Sequence, residues 1–330
     1  MHQPTPDDVQ RAHRLIAPHI VRTPTLRVPM LDDRLGAQVF IKAEPLQRTG
    51  SFKLRGATNA LLTLPQAARK RGVVTYSSGN HGQAIACAAA ALGLPATVVM
   101  PSDAPLIKRE ATARWGAEII PFDRRTADRA AIAQAVADRT GAALIPPFEH
   151  PDVIAGQGTL ALELVADAAA TGATLDLVLV CTGGGGLTAG CALALQAVSP
   201  QTRLIAVEPE GWDDTARSLA AGHIIGNDGT GSMLCDALLA MAPGALTFSI
   251  NRQWLAGAVT VSDDAVIGAI GFAVRHLKLV VEPGGAVALA ALLNGAVPTR
   301  GLRVGVILSG GNIDPDVLTR AITTQSSRPD

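Results

Sequence analysis

At 330 residues the chain is about twice the usual span of one hydrophobic core, so two lobes are expected. The 28 Lys and Arg balance the 28 Asp and Glu, and no basic stripe with interleaved aromatics occurs, which argues against nucleic acid as a partner. With 48% hydrophobic and 17% charged residues, the composition also excludes a disordered chain.

The N-terminal stretch MHQPTPDDVQRAHRL is polar and carries acids early, so it reads as neither a signal nor a transit peptide. From about residue 70, short β-branched runs alternate with Ala-rich helical stretches. GVVTYS precedes a helix from about Asn80 to Leu92, followed by the strand ATVVM, a helix around IKREATARW and the strand EIIPF. The helical run ADRAAIAQAVADRTG leads to AALIPPF. The same grammar resumes with GTLALELVADA, DLVLVCT, LTAGCALALQAV and RLIAVEP, and closes with DDAVIGAIGFAVRHL, GGAVALAALL and RVGVILSGGN. Strands separated by helices require crossover connections, hence parallel sheets. The expected fold class is α/β, with one sheet near 70–148 and a second beyond 150. The most apolar stretch, 84–100, is broken by Gly93 and Pro95 and reads as a buried helix running into a strand, not a membrane span. Cys87, Cys181, Cys191 and Cys235 have no paired spacing, so reduced core thiols in a cytoplasmic protein are expected.

CTGGGGLTAG (181–190) follows an apolar strand and opens a helix. Successive glycines let backbone amides converge, and the helix N-terminus adds partial positive charge: a phosphate cradle. A dinucleotide site is the rival, since Gly184, Gly186 and Ala189 fit G-x-G-x-x-A and Glu208 ends the next strand where a ribose-binding acid would sit. A merely structural turn is the third reading. SSGNHGQA (77–84) also follows a strand and opens a helix, LSGGN (308–312) ends the last strand, and VVEPGGA (280–286) places Glu282 at a strand end. In an open α/β sheet such ends face the ligand crevice. In SFKLRGA (51–57), Lys53 is one cation beside Phe52 where an apolar helix begins. A lysine in such a pocket loses its charge readily and becomes a nucleophile, whereas Lys42 and Lys108 have more ordinary surroundings.

Taken together, SFKLRGA, SSGNHG, TGGGGL, VEP and LSGGN resemble the fold-type II pyridoxal-phosphate enzymes, most of all the serine/threonine dehydratase and serine racemase branch, from about Thr23 to Asp314. The resemblance implies two open parallel-sheet domains like those of tryptophan synthase β. A large domain combines about 1–65 with 149–330, a smaller mobile one spans about 66–148, and the cofactor lies between them. It implies that Lys53 forms an imine with the cofactor aldehyde and that Phe52 packs beside the cofactor. Gly183, Gly184, Gly185, Gly186 and Leu187 then hold the phosphate, Asn80 bonds the ring hydroxyl, Glu282 lines the site and Ser309 faces the pyridine nitrogen. The substrate carboxylate docks on Ser77, Asn80 and His81, with His81 equally open as a plain structural donor. The implied reaction is β-elimination on serine, threonine or threo-3-hydroxyaspartate, giving a keto acid and ammonia.

Ser78 resembles the serine racemases and 3-hydroxyaspartate dehydratases, where a hydroxyl opposite the lysine supplies a second acid/base or only a carboxylate ligand. Serine racemase activity is therefore the alternative to the lyase. In AVEPEGWDDTARS (206–218) the resemblance implies a divalent cation, Mg²⁺ or Ca²⁺, on Glu208, the Trp212 carbonyl and Asp214. Arg129 falls where a cation would favour a substrate with a second carboxylate. A homodimer follows from the family. The short stretch after LSGGNIDPDVLTRAI leaves no room for the regulatory domain of biosynthetic threonine dehydratases.

Overall fold

The computed structural model describes residues 2–77, 79–102, 104, 106–123 and 126–324, without the side chains of residues 106–108. Strands β1 (Thr25–Leu26) and β2 (Gln38–Ala43) begin one sheet. A second sheet is made of β3 (Val73–Tyr76), β4 (Ala96–Pro101), β5 (Glu118–Phe122) and β6 (Ala143–Leu144). The chain then returns to the first with β7 (Leu177–Cys181), β8 (Arg203–Pro209), β9 (Leu255–Val261) and β10 (Arg303–Leu308). The large sheet has the order β1-β2-β10-β7-β8-β9 and is parallel except for the β1–β2 pair. The small sheet, β5-β4-β3-β6, is parallel throughout.

Parallel strands covered by helices on both faces read as unbroken apolar runs. Every residue of β7, Leu177 to Cys181, is buried accordingly. The helix Pro151–Ala169 lies under the large sheet and packs against both the helix Lys53–Thr63 and the helix Gly186–Val198. The first of these contacts is backbone to backbone. A Cβ on Gly156 would lie 2.6 Å from the Cα of Gly56, so only glycine lets the two helices approach this closely. The helix carrying Lys53 also touches the helix Asn80–Leu92 of the small sheet, and so spans both sheets.

Most elements read from the sequence appear at their expected places. The strands β1, β2 and β9 and the helices Pro6–Ile16 and Ala245–Trp254 were not among them. The segment before Glu282 is a correction: it is not a strand. The helix from Asp263 ends in a π turn, Ala273–Leu277, and Lys278 turns the chain with a left-handed φ of 57°. Glu282 then sits as the N-cap of the helix Pro283–Asn294, with its amide bonded to the Gly310 carbonyl. All four cysteines are free and buried, and among the described residues no helix is long and apolar enough to cross a membrane.

Candidate active site

The two sheets meet at a cavity of about 140 Å³ built from strand ends and helix N-termini. From the Lys53 helix come Phe52 and Lys53. From the end of β3 and the helix that follows come Tyr76, Ser77, Asn80 and His81. The β7 end supplies Cys181, Thr182 and the run from Gly183 to Leu187, while Glu282 and Ser309 close the opposite wall. Arg129, at the start of the helix Arg129–Thr140, also lines the cavity. Ser78 lies outside the described residues.

Lys53 is the first residue of its helix and extends into the cavity, where its ammonium donates to the Pro147 carbonyl at 2.9 Å and sits 5.2 Å from the Phe52 ring centre. Burial pulls its pKa down from 10.5 to about 8, against the smaller opposing influence of Cys181 and Glu282. A substantial fraction of the amine is therefore neutral near physiological pH.

Facing it, the glycine loop opens the helix Gly186–Val198. A Cβ on Gly184 would stand 2.4 Å from Cε1 of Phe148, so the loop fits between Phe148 and the cavity only because it has no side chain. The amides of Gly183, Gly184 and Gly185 meet no protein acceptor among the described residues. Thr247 Oγ1 and Asn251 Nδ2 hold the outer side of the loop by donating to the carbonyls of Gly184 and Gly185, at 2.7 and 3.3 Å. Free amides at a helix N-terminus, with the carbonyls tied back, form a site suited to a phosphate.

Asn80 donates from Nδ2 to Glu282 Oε1 at 2.6 Å and accepts from Asn312 Nδ2 at 2.7 Å, which leaves its second Nδ2 hydrogen for a ligand. His81 is buried and neutral. Burial, reinforced by Lys53, depresses its pKa to about 3, and Nε2 lies 3.1 Å from the Ile145 carbonyl. With that nitrogen donating, Nδ1 carries a lone pair and cannot donate to a carboxylate. Ser77 Oγ accepts from the Gly79 amide at 3.2 Å. The Arg129 guanidinium lies 5.7 Å from the Tyr76 ring centre and pairs with no carboxylate among the described residues.

Glu208, Trp212 and Asp214 lie apart from this cavity, at the end of β8. Glu208 accepts from the amides of Thr215 (2.8 Å) and Ala216 (2.9 Å), so from the end of β8 it ties down the first turn of the helix Asp214–Ala221 and does not reach toward the glycine loop as a ribose-binding acid would. Asp214 Oδ1 accepts from Asn227 Nδ2 at 2.7 Å, while Oδ2 is buried without a partner among the described residues. Burial pushes Glu208 up to about 8 and Asp214 to about 6. An orphaned buried carboxylate oxygen near a second buried carboxyl is a donor set of the kind a hard cation takes, although no group of three or more His, Cys, Asp or Glu that could hold a metal ion occurs among the described residues.

Lys42 departs from its expected ordinary surroundings. It is fully buried and donates to Glu163 Oε2 and the Thr23 carbonyl, both at 2.6 Å. Glu163 in turn pairs with Arg55, which also pairs with Glu44, and all four charges are buried beneath the Lys53 helix. The side chain of Lys108 lies outside the described residues. Tyr76, Phe148 and Asp236 line the cavity without having been singled out from the sequence, and so does Cys181, which was read only as a core thiol. Cys181 had a readable signal in its place at the end of the strand, one residue removed from the glycine run. Asp236 lies in a stretch without periodicity and had none.

A lysine with a lowered pKa facing a phosphate cradle across a crevice between two parallel sheets defines a class of enzyme that the whole chain can then be compared with. The chain belongs to the pyridoxal-phosphate dependent enzyme family, matched over residues 16–310. It is 47% identical to an L-threo-3-hydroxyaspartate ammonia-lyase of a Pseudomonas species, covering 93% of this chain and 95% of that protein. It is also 42% identical to a serine racemase of Schizosaccharomyces pombe, covering 94% and 95% of the two chains. Among solved structures, maize serine racemase superposes with a TM-score of 0.91 at 37% identity over 97% of each chain. Membership of this family removes the dinucleotide reading of Gly184, Gly186 and Ala189.

Proposed function

We propose that the protein is an ammonia-lyase that removes the β-hydroxyl and the amino group of a β-hydroxy amino acid, with threo-3-hydroxyaspartate preferred over serine and threonine. The observation that carries this reading is the Arg129 guanidinium, unpaired with any carboxylate among the described residues, on the same cavity as the pKa-lowered Lys53. A second substrate carboxylate would give that cation a charge-assisted bidentate partner. The names of the similar ammonia-lyases from Pseudomonas and Saccharomyces cerevisiae support the same substrate class.

Pyridoxal phosphate, when bound, supplies an aldehyde for the substrate amine and a ring that draws electrons from its α-carbon. Lys53 holds the cofactor and then takes the α-proton on its neutral amine. The amides from Gly183 to Leu187 would hold the phosphate, Phe52 would pack beside the ring, Asn80 Nδ2 would donate to the ring hydroxyl and Ser309 would face the ring nitrogen. Ser77 and the backbone amide of Asn80, at the N-terminus of the helix Asn80–Leu92, would receive the substrate α-carboxylate. His81, neutral and bonded through Nε2 to the Ile145 carbonyl, serves as a structural donor. The substrate loses water, and hydrolysis of the resulting enamine yields the 2-keto acid and ammonia.

A Mg²⁺ or Ca²⁺ ion on Glu208, Asp214 and the Trp212 carbonyl belongs to the same proposal, supported by the orphaned Asp214 oxygen. So do a homodimer, a cytoplasmic setting suited to four free thiols, and movement of a small domain, 66–148, against the rest of the chain.

Incubating the holoenzyme with L-serine, L-threonine and L-threo-3-hydroxyaspartate, with keto acid and D-amino acid assayed together, tests the reading. Oxaloacetate from hydroxyaspartate should dominate, and borohydride should fix the cofactor on the peptide containing Lys53. An adduct on another lysine, or no keto acid from any of the three, overturns it. The similarity to serine racemases favours a second reading. If D-serine forms faster than pyruvate, racemisation is the main activity, and Ser78→Ala should abolish it while sparing elimination.

A further inference from the structure

Cys181 ends β7 and Ser309 follows β10, and these strands are hydrogen-bonded neighbours whose register pairs Val306 with Leu179. Their C-terminal ends therefore lie side by side on the cavity floor. There the Cys181 thiol donates to Ser309 Oγ across 3.2 Å, with both side chains buried. Burial raises the thiol pKa to about 11, so the sulfur keeps its proton at neutral pH. A serine hydroxyl has one proton and two acceptor sites. With an acceptor site taken by the thiol, the single Ser309 proton must be directed elsewhere. Among the described residues it has no second partner, and the side chain lines the cavity.

We infer that Cys181 is a positioning residue that makes Ser309 a fixed hydrogen-bond donor toward the cavity, so that a ring nitrogen seated there accepts a hydrogen bond and stays unprotonated. The inference rests on the proposed reading that Ser309 faces the cofactor nitrogen. Its consequence is chemical: an unprotonated ring withdraws electrons less strongly, which favours prompt loss of a β-hydroxyl over exchange of the α-proton. A hydrophobic residue in place of Cys181 would fill the space but leave Ser309 free to rotate and to act as an acceptor.

Two spectroscopic measurements test it. In the apoprotein, the infrared S–H stretch that disappears in Cys181→Ala should move to higher wavenumber in Ser309→Ala, because the thiol loses its acceptor. An unmoved band overturns the inference. In holoenzyme reconstituted with ring-¹⁵N cofactor, Cys181→Ala should shift the ring nitrogen resonance in the same direction as Ser309→Ala. Cys181→Ser, which keeps a donor, should remain near the parent value. If Ser309→Ala shifts the resonance and Cys181→Ala does not, the inference fails while the placement of Ser309 stands. If Ser309→Ala leaves the resonance unmoved, that placement fails and the inference with it. Should Cys181→Ala not fold, Cys181→Val supplies the subtraction and the Ser309→Ala infrared measurement still decides.

Discussion

Arg55 and Glu163 meet fork to fork, Nη1 to Oε1 and Nη2 to Oε2, each at 2.8 Å. Arg55 holds Glu44 in a second fork, Nε to Oε2 and Nη2 to Oε1, both at 2.9 Å. Removing one partner of a buried pair strands the remaining charge, at a cost of about 3–5 kcal/mol. Arg55→Met should therefore lower the urea midpoint by that amount of free energy, and Arg55→Lys should not restore it, because a point ammonium cannot serve two forks. Burial raises the Glu163 carboxyl, but the hydrogen bonds and charge of Arg55, helped by Lys42, more than reverse this and hold it below its ordinary value. A depressed carboxyl stabilises the fold above its unfolded pKa and loses that contribution as the pH falls through the folded value. Denaturation between neutral and acid pH should show this loss, and Glu163→Gln should flatten that part of the profile.

The lowered pKa of Lys53 predicts how the apoprotein takes up its cofactor. Only the neutral amine attacks an aldehyde, so the association rate should climb through pH 8 and level off above it. A lysine with the ordinary value of about 10.4 would show no inflection there. Stopped-flow absorbance against pH provides the measurement, and a rate still rising steeply at pH 10 would contradict the burial argument.

The carboxyls of Glu208 and Asp214 are shifted the other way, to about 8 and about 6. Raised carboxyl pKa values mean that the folded chain binds protons more tightly than the unfolded one. Stability should therefore decline as the pH rises from the ordinary carboxylate range through 6 and toward 8. A divalent cation should reverse that decline, and at a hundredfold excess over its Kd would add about 2.7 kcal/mol. Melting temperature with and without Mg²⁺ or Ca²⁺ should diverge more at pH 8 than at pH 5.5, and Asp214→Asn should abolish the difference. A cation effect that is independent of pH, or that persists in Asp214→Asn, would place the ion elsewhere.

Arg129→Ala should separate substrates by charge. A hydrogen bond to a charged partner contributes about 1.5–3 kcal/mol, so kcat/KM for threo-3-hydroxyaspartate should drop roughly ten- to a hundredfold while that for serine changes little. Equal losses for both substrates would make Arg129 a structural start to its helix.

The crevice motifs were legible because each joins a local geometric demand to a chemical one. The glycine run needs backbone space, SSGNHG opens a helix directly after a strand, and Lys53 is a cation at an apolar helix start. The strands β1, β2 and β9 were less visible, since β1 has two residues and β9 is only partly buried, which blurs its pattern. Glu282 misled because Val280 and Val281 look like a strand end, whereas the π turn and the left-handed Lys278 replace any ladder with a single bond to Gly310. Lys42 misled because its partner Glu163 lies 121 residues away, a pairing that only tertiary structure creates.

The bridging position of the Lys53 helix divides the labour of the site. Glu44, just after β2, and Glu163, on the helix Pro151–Ala169 that packs under the large sheet, clamp its first turn through Arg55, and the glycine loop springs from that same sheet, so amine and phosphate cradle share one support. Ser77, Asn80 and Arg129 arrive from the opposite bank. The nucleophile and the anion cradle are thus carried by one wall of the crevice, and the polar groups suited to recognising a substrate are carried by the other.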